Sequence, residues 1–121
     1  MALHPIFQDF PMPQLRPQNF DEFTQTDDGK IVAVFFWGHN CPNCDVAKRM
    51  IHQEMESYRA FGFQWYHVNT YEDADLGTRF GLHGIPTFLF FKNRRLLGRA
   101  TSFPGHDEFL GVLETLRKKH A

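Results

Sequence analysis

The chain predicts an α/β domain, a mixed central sheet covered by helices. Three observations carry that reading: a nearly all-apolar run at residues 31–37 (IVAVFFW), an amphipathic stretch directly after Cys41, and two strand-like segments, residues 87–91 and 95–99, flanking a KNR turn. A strand covered on both faces reads as continuous hydrophobicity, whereas a surface helix shows a 3.6-residue period. In chain order the elements are strand, helix, strand, helix, hairpin and helix, which suits a layered sheet better than a helical bundle.

Taken from the N-terminus, Pro5, Pro11, Pro13 and Pro17 interrupt a helix and suit a central strand poorly. Residues 1–17 therefore read as an extended lead-in, with a short edge strand near residues 13–16, and residues 18–121 as the folded domain. Residues 18–24 form a short helix carrying Phe20 and Phe23, and TDDGK at 26–30 is a turn. Beyond Cys41, Val46, Ala47, Met50, Ile51, Met55 and Tyr58 share one helical face, while Asp45, Lys48, Arg49, His52, Gln53 and Glu56 occupy much of the other. Residues 63–68 are a further strand and residues 72–80 a short helix ending before Gly81. The last helix, residues 106–119, turns Phe109, Val112, Leu113 and Leu116 inward and places Arg117, Lys118 and Lys119 where the helix dipole favours cations.

With 121 residues, 42% of them hydrophobic and 22% charged, the chain suits one hydrophobic core. A formal charge of -1, from 13 basic and 14 acidic residues, gives no reason to expect nucleic acid or an anionic membrane as a partner. The apolar runs are strand-sized, far below membrane-spanning length. The N-terminal residues show no basic region followed by an apolar run, so a cytoplasmic location is expected. Two cysteines are too few for a disulfide framework; two residues apart, they read as half of a metal site or as a redox dithiol.

The chemistry concentrates in WGHNCPNCDVAKR, residues 37–49, where an apolar strand turns into a helix. Cys41 falls on the helix boundary and Pro42 in its first turn, where a missing N–H costs nothing. The Cys41 sulfur then faces unpaired backbone donors and the positive end of the helix, both of which favour the thiolate and make it the nucleophile. Cys44, three positions on, lies within reach of a mixed disulfide formed at Cys41 and inside the helix, which suits a resolving thiol. Two other readings compete: both thiols as small core side chains, and a zinc site with His39 as a third ligand, for which the chain supplies no second cysteine pair.

The motif and its surroundings resemble the thioredoxin family. FFWGHNCPNC is similar to the family's strand, tryptophan and active-site turn, and YHVNTYEDADLGTRFGLHGIPTFLFFKNRR to the strand, helix and substrate-proximal loop that follow; residues 18–119 are covered. The resemblance implies a thioredoxin-like sheet with helices on both faces and a cis peptide bond before Pro86, which would lie beside Cys41. Ile85 would offer backbone groups to an extended substrate, and Trp37 would border the site. It implies a thiol–disulfide oxidoreductase that acts on a disulfide-containing protein or peptide, is regenerated by an external thiol or reductase system, and needs no bound cofactor or metal. The Pro42 and Asn43 pair is also similar to the glutaredoxin turn, but the paired glycines and acidic residue of that family's glutathione site are missing downstream.

The departures from the family identify tuning residues. Phe35 stands where relatives carry a buried aspartate, His67 matches the lysine near that acid, Asn40 replaces a tryptophan, and Asp45 replaces a basic residue. Phe35 cannot accept a proton, so Cys44 needs another route to deprotonation. His67 is one candidate, and His39, close to Cys41 in sequence, is a candidate for stabilising its thiolate. Phe35 and Asp45 also support an alternative, a thioredoxin-fold binding or adaptor module whose dithiol is regulatory or vestigial.

Overall fold

The computed structural model describes residues 4–121. Residues 1–3 of the expected lead-in lie outside the described residues. Four strands, β1 (Val32–Trp37), β2 (Gln64–Asn69), β3 (Thr87–Lys92) and β4 (Arg95–Ala100), form one sheet in the order β2-β1-β3-β4. β1 pairs parallel with β2 and antiparallel with β3, and β3 pairs antiparallel with β4. Among the described residues the helices are α1 (Ile6–Asp9), α2 (Phe20–Thr24), α3 (Pro42–Gln53), α4 (Met55–Arg59), α5 (Ala74–Arg79) and α6 (His106–Lys119).

All six residues of β1 are buried, as the continuous apolar run requires of a central strand. Alternation sends Ala33, Phe35 and Trp37 into a layer shared with Ile6 of α1, Ala47 and Ile51 of α3, Tyr58 of α4, and Phe109 and Leu113 of α6. Val32, Val34 and Phe36 enter the opposite layer with Phe20 of α2 and Leu76 of α5. The sheet is thus covered on both faces. The β3–β4 hairpin turns through Asn93 and Arg94, both at positive φ (49° and 70°), the conformation that two-residue hairpin loops demand.

Two elements differ from expectation. The lead-in is not wholly extended: α1 fits between Pro5, which occupies its N-cap, and Pro11, so no proline N–H is needed inside it. Ile6, Phe10, Met12 and Leu15 are buried in the core, and the segment runs along the outer edge of β2, with Leu15 N–H donating to His67 O (2.8 Å) and His67 N–H donating to Pro13 O (3.0 Å). The long helix after Cys41 is also interrupted at Glu54, which separates α3 from α4.

Candidate active site

The end of β1 is held by Thr70, whose N–H and hydroxyl both donate to Trp37 O at 2.9 Å. The chain then turns through Asn40 at φ 54° and reaches Cys41, the N-cap of α3. Cys41 takes the part that serine or aspartate plays at other helix starts: its Sγ accepts the Cys44 N–H at 3.1 Å, with Pro42 in the first turn. The two cysteines form a disulfide with their Cα atoms 5.2 Å apart. Access to them is unequal, since Cys41 is 8% exposed and Cys44 fully buried. Asn43 is occupied by structure: its Nδ2 donates to Phe103 O (3.1 Å) and its Oδ1 accepts Phe103 N–H (3.0 Å), which ties the first turn of α3 to the loop before α6.

Facing the disulfide is the loop before β3. The Ile85–Pro86 peptide bond is cis, and Ile85 O lies 3.6 Å from Cys41 Sγ. Thr87 Oγ1 donates to Gly84 O (2.8 Å) and braces the turn. Gly38 allows the close approach of this loop, because a Cβ there would fall 2.7 Å from Ile85 Cδ1 and 2.8 Å from Tyr71 Cε1. Tyr71 itself is 59% exposed. Sequence reasoning passed over it; the signal was a large aromatic two residues past the end of β2, in a loop that ends at the active-site side of the sheet. His39 is exposed and sits edge-on to both Trp37 and Tyr71, with ring centres 5.4 Å and 5.3 Å away respectively. A shallow cavity of about 280 Å³ adjoins the loop, with Thr70, Ala74, Leu82 and Ile85 in its walls.

Behind the disulfide the site is aromatic and basic. Phe35 is fully buried, lies opposite His67 on β2 and Phe88 on β3, and stacks on Phe88 with ring centres 4.9 Å apart. It belongs to the same packed layer as Cys44, where it offers no acceptor for a proton. His67 accepts the Trp37 indole N–H on Nδ1 at 3.0 Å and stacks under Phe7 at 3.9 Å. Burial, reinforced by the charge of Lys48, pushes its pKa down to about 4, so the ring is neutral at physiological pH.

Two placements correct the sequence reading. Trp37, expected to border the substrate, is 1% exposed with its N–H turned inward; it supports the motif from beneath and presents no face to a ligand. Lys48, expected on the solvent side of the helix, is 7% exposed, with its Nζ 3.7 Å from the centre of the Trp37 ring. Its spacing of four from Cys44 and seven from Cys41 was the available signal, because that spacing repeats one helical face. Burial lowers the Lys48 pKa, and Asp45, whose carboxylate lies 3.8 Å from Nζ, works against that shift. Asp45 itself is exposed.

The thioredoxin family model matches residues 11–115. The chain belongs to the thioredoxin family. It is 28% identical over 76 residues to a thioredoxin of Malassezia sympodialis, covering 62% of this chain and 72% of that protein. It is 29% identical over 106 residues to a thioredoxin of Coprinus comatus, covering 84% of this chain and 92% of that one. Among solved structures, the Malassezia sympodialis thioredoxin superposes with a TM-score of 0.74 at 19% identity, covering 88% of this chain and 90% of that one. Thioredoxin f2 of Chlamydomonas reinhardtii superposes with a TM-score of 0.70 at 20% identity, covering 86% and 94%. With the paired cysteines of the thioredoxin motif in place, the chain is a thiol–disulfide oxidoreductase.

Proposed function

We propose that this member of the thioredoxin family acts on disulfides in proteins or peptides, with Cys41 as the attacking thiol and Cys44 as the resolving one. The observation that carries the reading is the position of Cys41 Sγ: it caps α3, accepts the Cys44 N–H, and lies 3.6 Å from Ile85 O. A substrate strand laid against the Ile85 backbone would bring its own sulfur to that place. In the reduced protein the Cys41 thiolate attacks one substrate sulfur, forming a mixed disulfide and expelling the other substrate sulfur as a thiolate. Cys44, once deprotonated, attacks Cys41 Sγ, which closes the Cys41–Cys44 disulfide and releases the second substrate thiol. Two electrons from an external thiol or reductase system then restore the pair. We place this cycle in a reducing cytoplasm, a reading supported by a sequence whose two cysteines are both committed to the redox motif.

Trapping with Cys44→Ser tests the proposal. Attack by Cys41 on an oxidised peptide should leave a mixed disulfide that accumulates, is released by a small thiol, and is absent from the Cys41→Ser, Cys44→Ser double variant. Equal labelling of the double variant, or trapping through Cys44 in a Cys41→Ser protein at the same rate, would reject these roles.

A further inference from the structure

The second turn of α3 holds a buried positive charge that the exchange steps above leave unused. Among the described residues, Lys48, His67 and Asp73 are the three buried side chains of the lysine, arginine, histidine, aspartate and glutamate types. Asp73 is paired with Arg16 at the far end of β2's loop, with Oδ2 2.5 Å from Nε, so it is occupied elsewhere. The His67 Nδ1 is taken by the Trp37 indole. Lys48 alone of the three shares a helical face with both cysteines. Side chains on a helix lean toward its N-terminus, so a lysine at this position reaches back over the turn that carries Cys44. Two contacts fix that direction: Nζ lies 3.8 Å from Asp45 in the first turn and 3.7 Å from the centre of Trp37, the residue that ends β1 ahead of the motif. The Trp37 ring face holds the ammonium by cation–π attraction while Phe7, 5.8 Å away, closes it off from water.

We propose that Lys48 is a positioning residue of the redox site, its ammonium held on the Trp37 ring so that its charge favours the thiolate forms of Cys41 and Cys44. A positive charge stabilises the reduced, ionised pair and leaves the neutral disulfide unaffected, so it makes the disulfide easier to reduce. The charge acts through low-dielectric surroundings, where it is screened less than a surface lysine would be. The other titratable groups facing it are Asp45 on α3, which attenuates it, and His67 on β2 and His4 ahead of α1, whose protonation Lys48 opposes. Both histidines are held toward their neutral forms by burial first, so Lys48 supplies the positive charge of this cluster.

The test compares Lys48→Met, which keeps the length and apolar stem, with Lys48→Arg, which keeps the charge. Cys41 ionisation is followed by thiolate absorbance against pH in a Cys44→Ser background, which avoids a coupled titration. The dithiol–disulfide equilibrium is measured separately against glutathione in the intact pair. Lys48→Met should reduce the Cys41 thiolate fraction at neutral pH about threefold and shift the glutathione equilibrium toward the disulfide by a similar factor, in proportion to a loss of about half a pKa unit. Lys48→Arg should stay close to the parent protein in both. If Met and Arg behave alike, whether both leave the values unchanged or both shift them, charge is not the cause and the proposal falls. Should Lys48→Met fail to fold, Lys48→Gln takes its place against the same Arg control. The inference rests on Cys41 being the attacking thiol; titration and the glutathione equilibrium need no protein substrate, so their outcome is separable from that of the trapping experiment.

Discussion

On one face of β1, Val32, Val34 and Phe36 meet Phe20, Val68, Leu76, Leu89 and Phe91 in an apolar layer that does not include the cysteines. On the other face, Ala33, Phe35 and Trp37 pack in the layer that contains Cys41 and Cys44, and there Trp37 also makes polar contacts with His67 and Lys48. Both faces are equally dry along β1, yet one holds only shape and the other holds shape plus charge. The period-two alternation of a strand is what keeps them apart, because neighbouring residues cannot share a layer. A change on the first face should therefore be felt as stability alone, and a change on the second as stability together with redox behaviour.

The largest expected effect tests the first half of that contrast. Phe36 is fully buried against Phe20 and Phe80, so Phe36→Ala removes a packed ring and should cost about 3 to 5 kcal/mol in urea unfolding. The glutathione equilibrium of the molecules that remain folded should not move. A shift there as large as that of Lys48→Met would show that the two layers are coupled through β1 and would break the comparison.

The second face should reveal itself through pH. His67 is buried and neutral, with a pKa of about 4 caused by burial first and the Lys48 charge second, against 6.5 when unfolded. Between those values the unfolded chain binds a proton that the folded chain refuses. The stability associated with a neutral His67 is therefore complete above pH 6.5 and is lost as pH falls toward 4, in total on the order of 3 kcal/mol. His67→Gln keeps an acceptor for the Trp37 indole and cannot titrate. Urea midpoints between pH 7 and 4 should fall less steeply in that variant than in the parent; identical slopes would mean that residue 67 is protonated as readily when folded as when unfolded.

The apolar face was the more legible of the two. Residues 31–37 and 87–91 announce buried strands by composition, the final helix occupies residues 106–119 as its pattern predicts, and the CPNC motif falls at a strand-to-helix junction where a cysteine can cap. Such features depend on local sequence. Lys48 was misread because a lysine on an amphipathic helix is solvated by default, and only the meeting of α3 with Trp37 and the Phe7 segment gives its long stem somewhere dry to lie. Trp37 was misread for a related reason: its place beside the motif is local, but which way its indole turns depends on His67, thirty residues away. The short helix α1 was hidden by its flanking prolines, which forbid a long helix and permit a single turn between them. Polar groups inside a core are thus set by contacts between distant segments, whereas apolar strands reveal themselves one at a time.

Asp45 gives the smallest expected effect and the finest test of the charged face. Its side chain is 67% exposed, one turn from the Cys41 cap, and its carboxylate lies 3.8 Å from Lys48 Nζ. Asp45→Asn acts twice with the same sign: it removes a negative charge near the place where the thiolate forms, and it frees Lys48 from its nearest counter-ion. Both favour the thiolate. Because the carboxylate is solvated, its own share is weak, and the expected gain in Cys41 thiolate at neutral pH is about twofold. Salt separates the two parts. Near 1 M salt the Debye length is about 3 Å, so the direct repulsion from exposed Asp45 should disappear while the buried Lys48 contribution remains. Thiolate absorbance in a Cys44→Ser background at low and high salt should show the Asp45→Asn gain shrinking, whereas the Lys48→Met loss persists. A loss as salt-sensitive as the gain would place the Lys48 ammonium in solvent rather than on the Trp37 ring, and the two faces of β1 would then differ in packing alone.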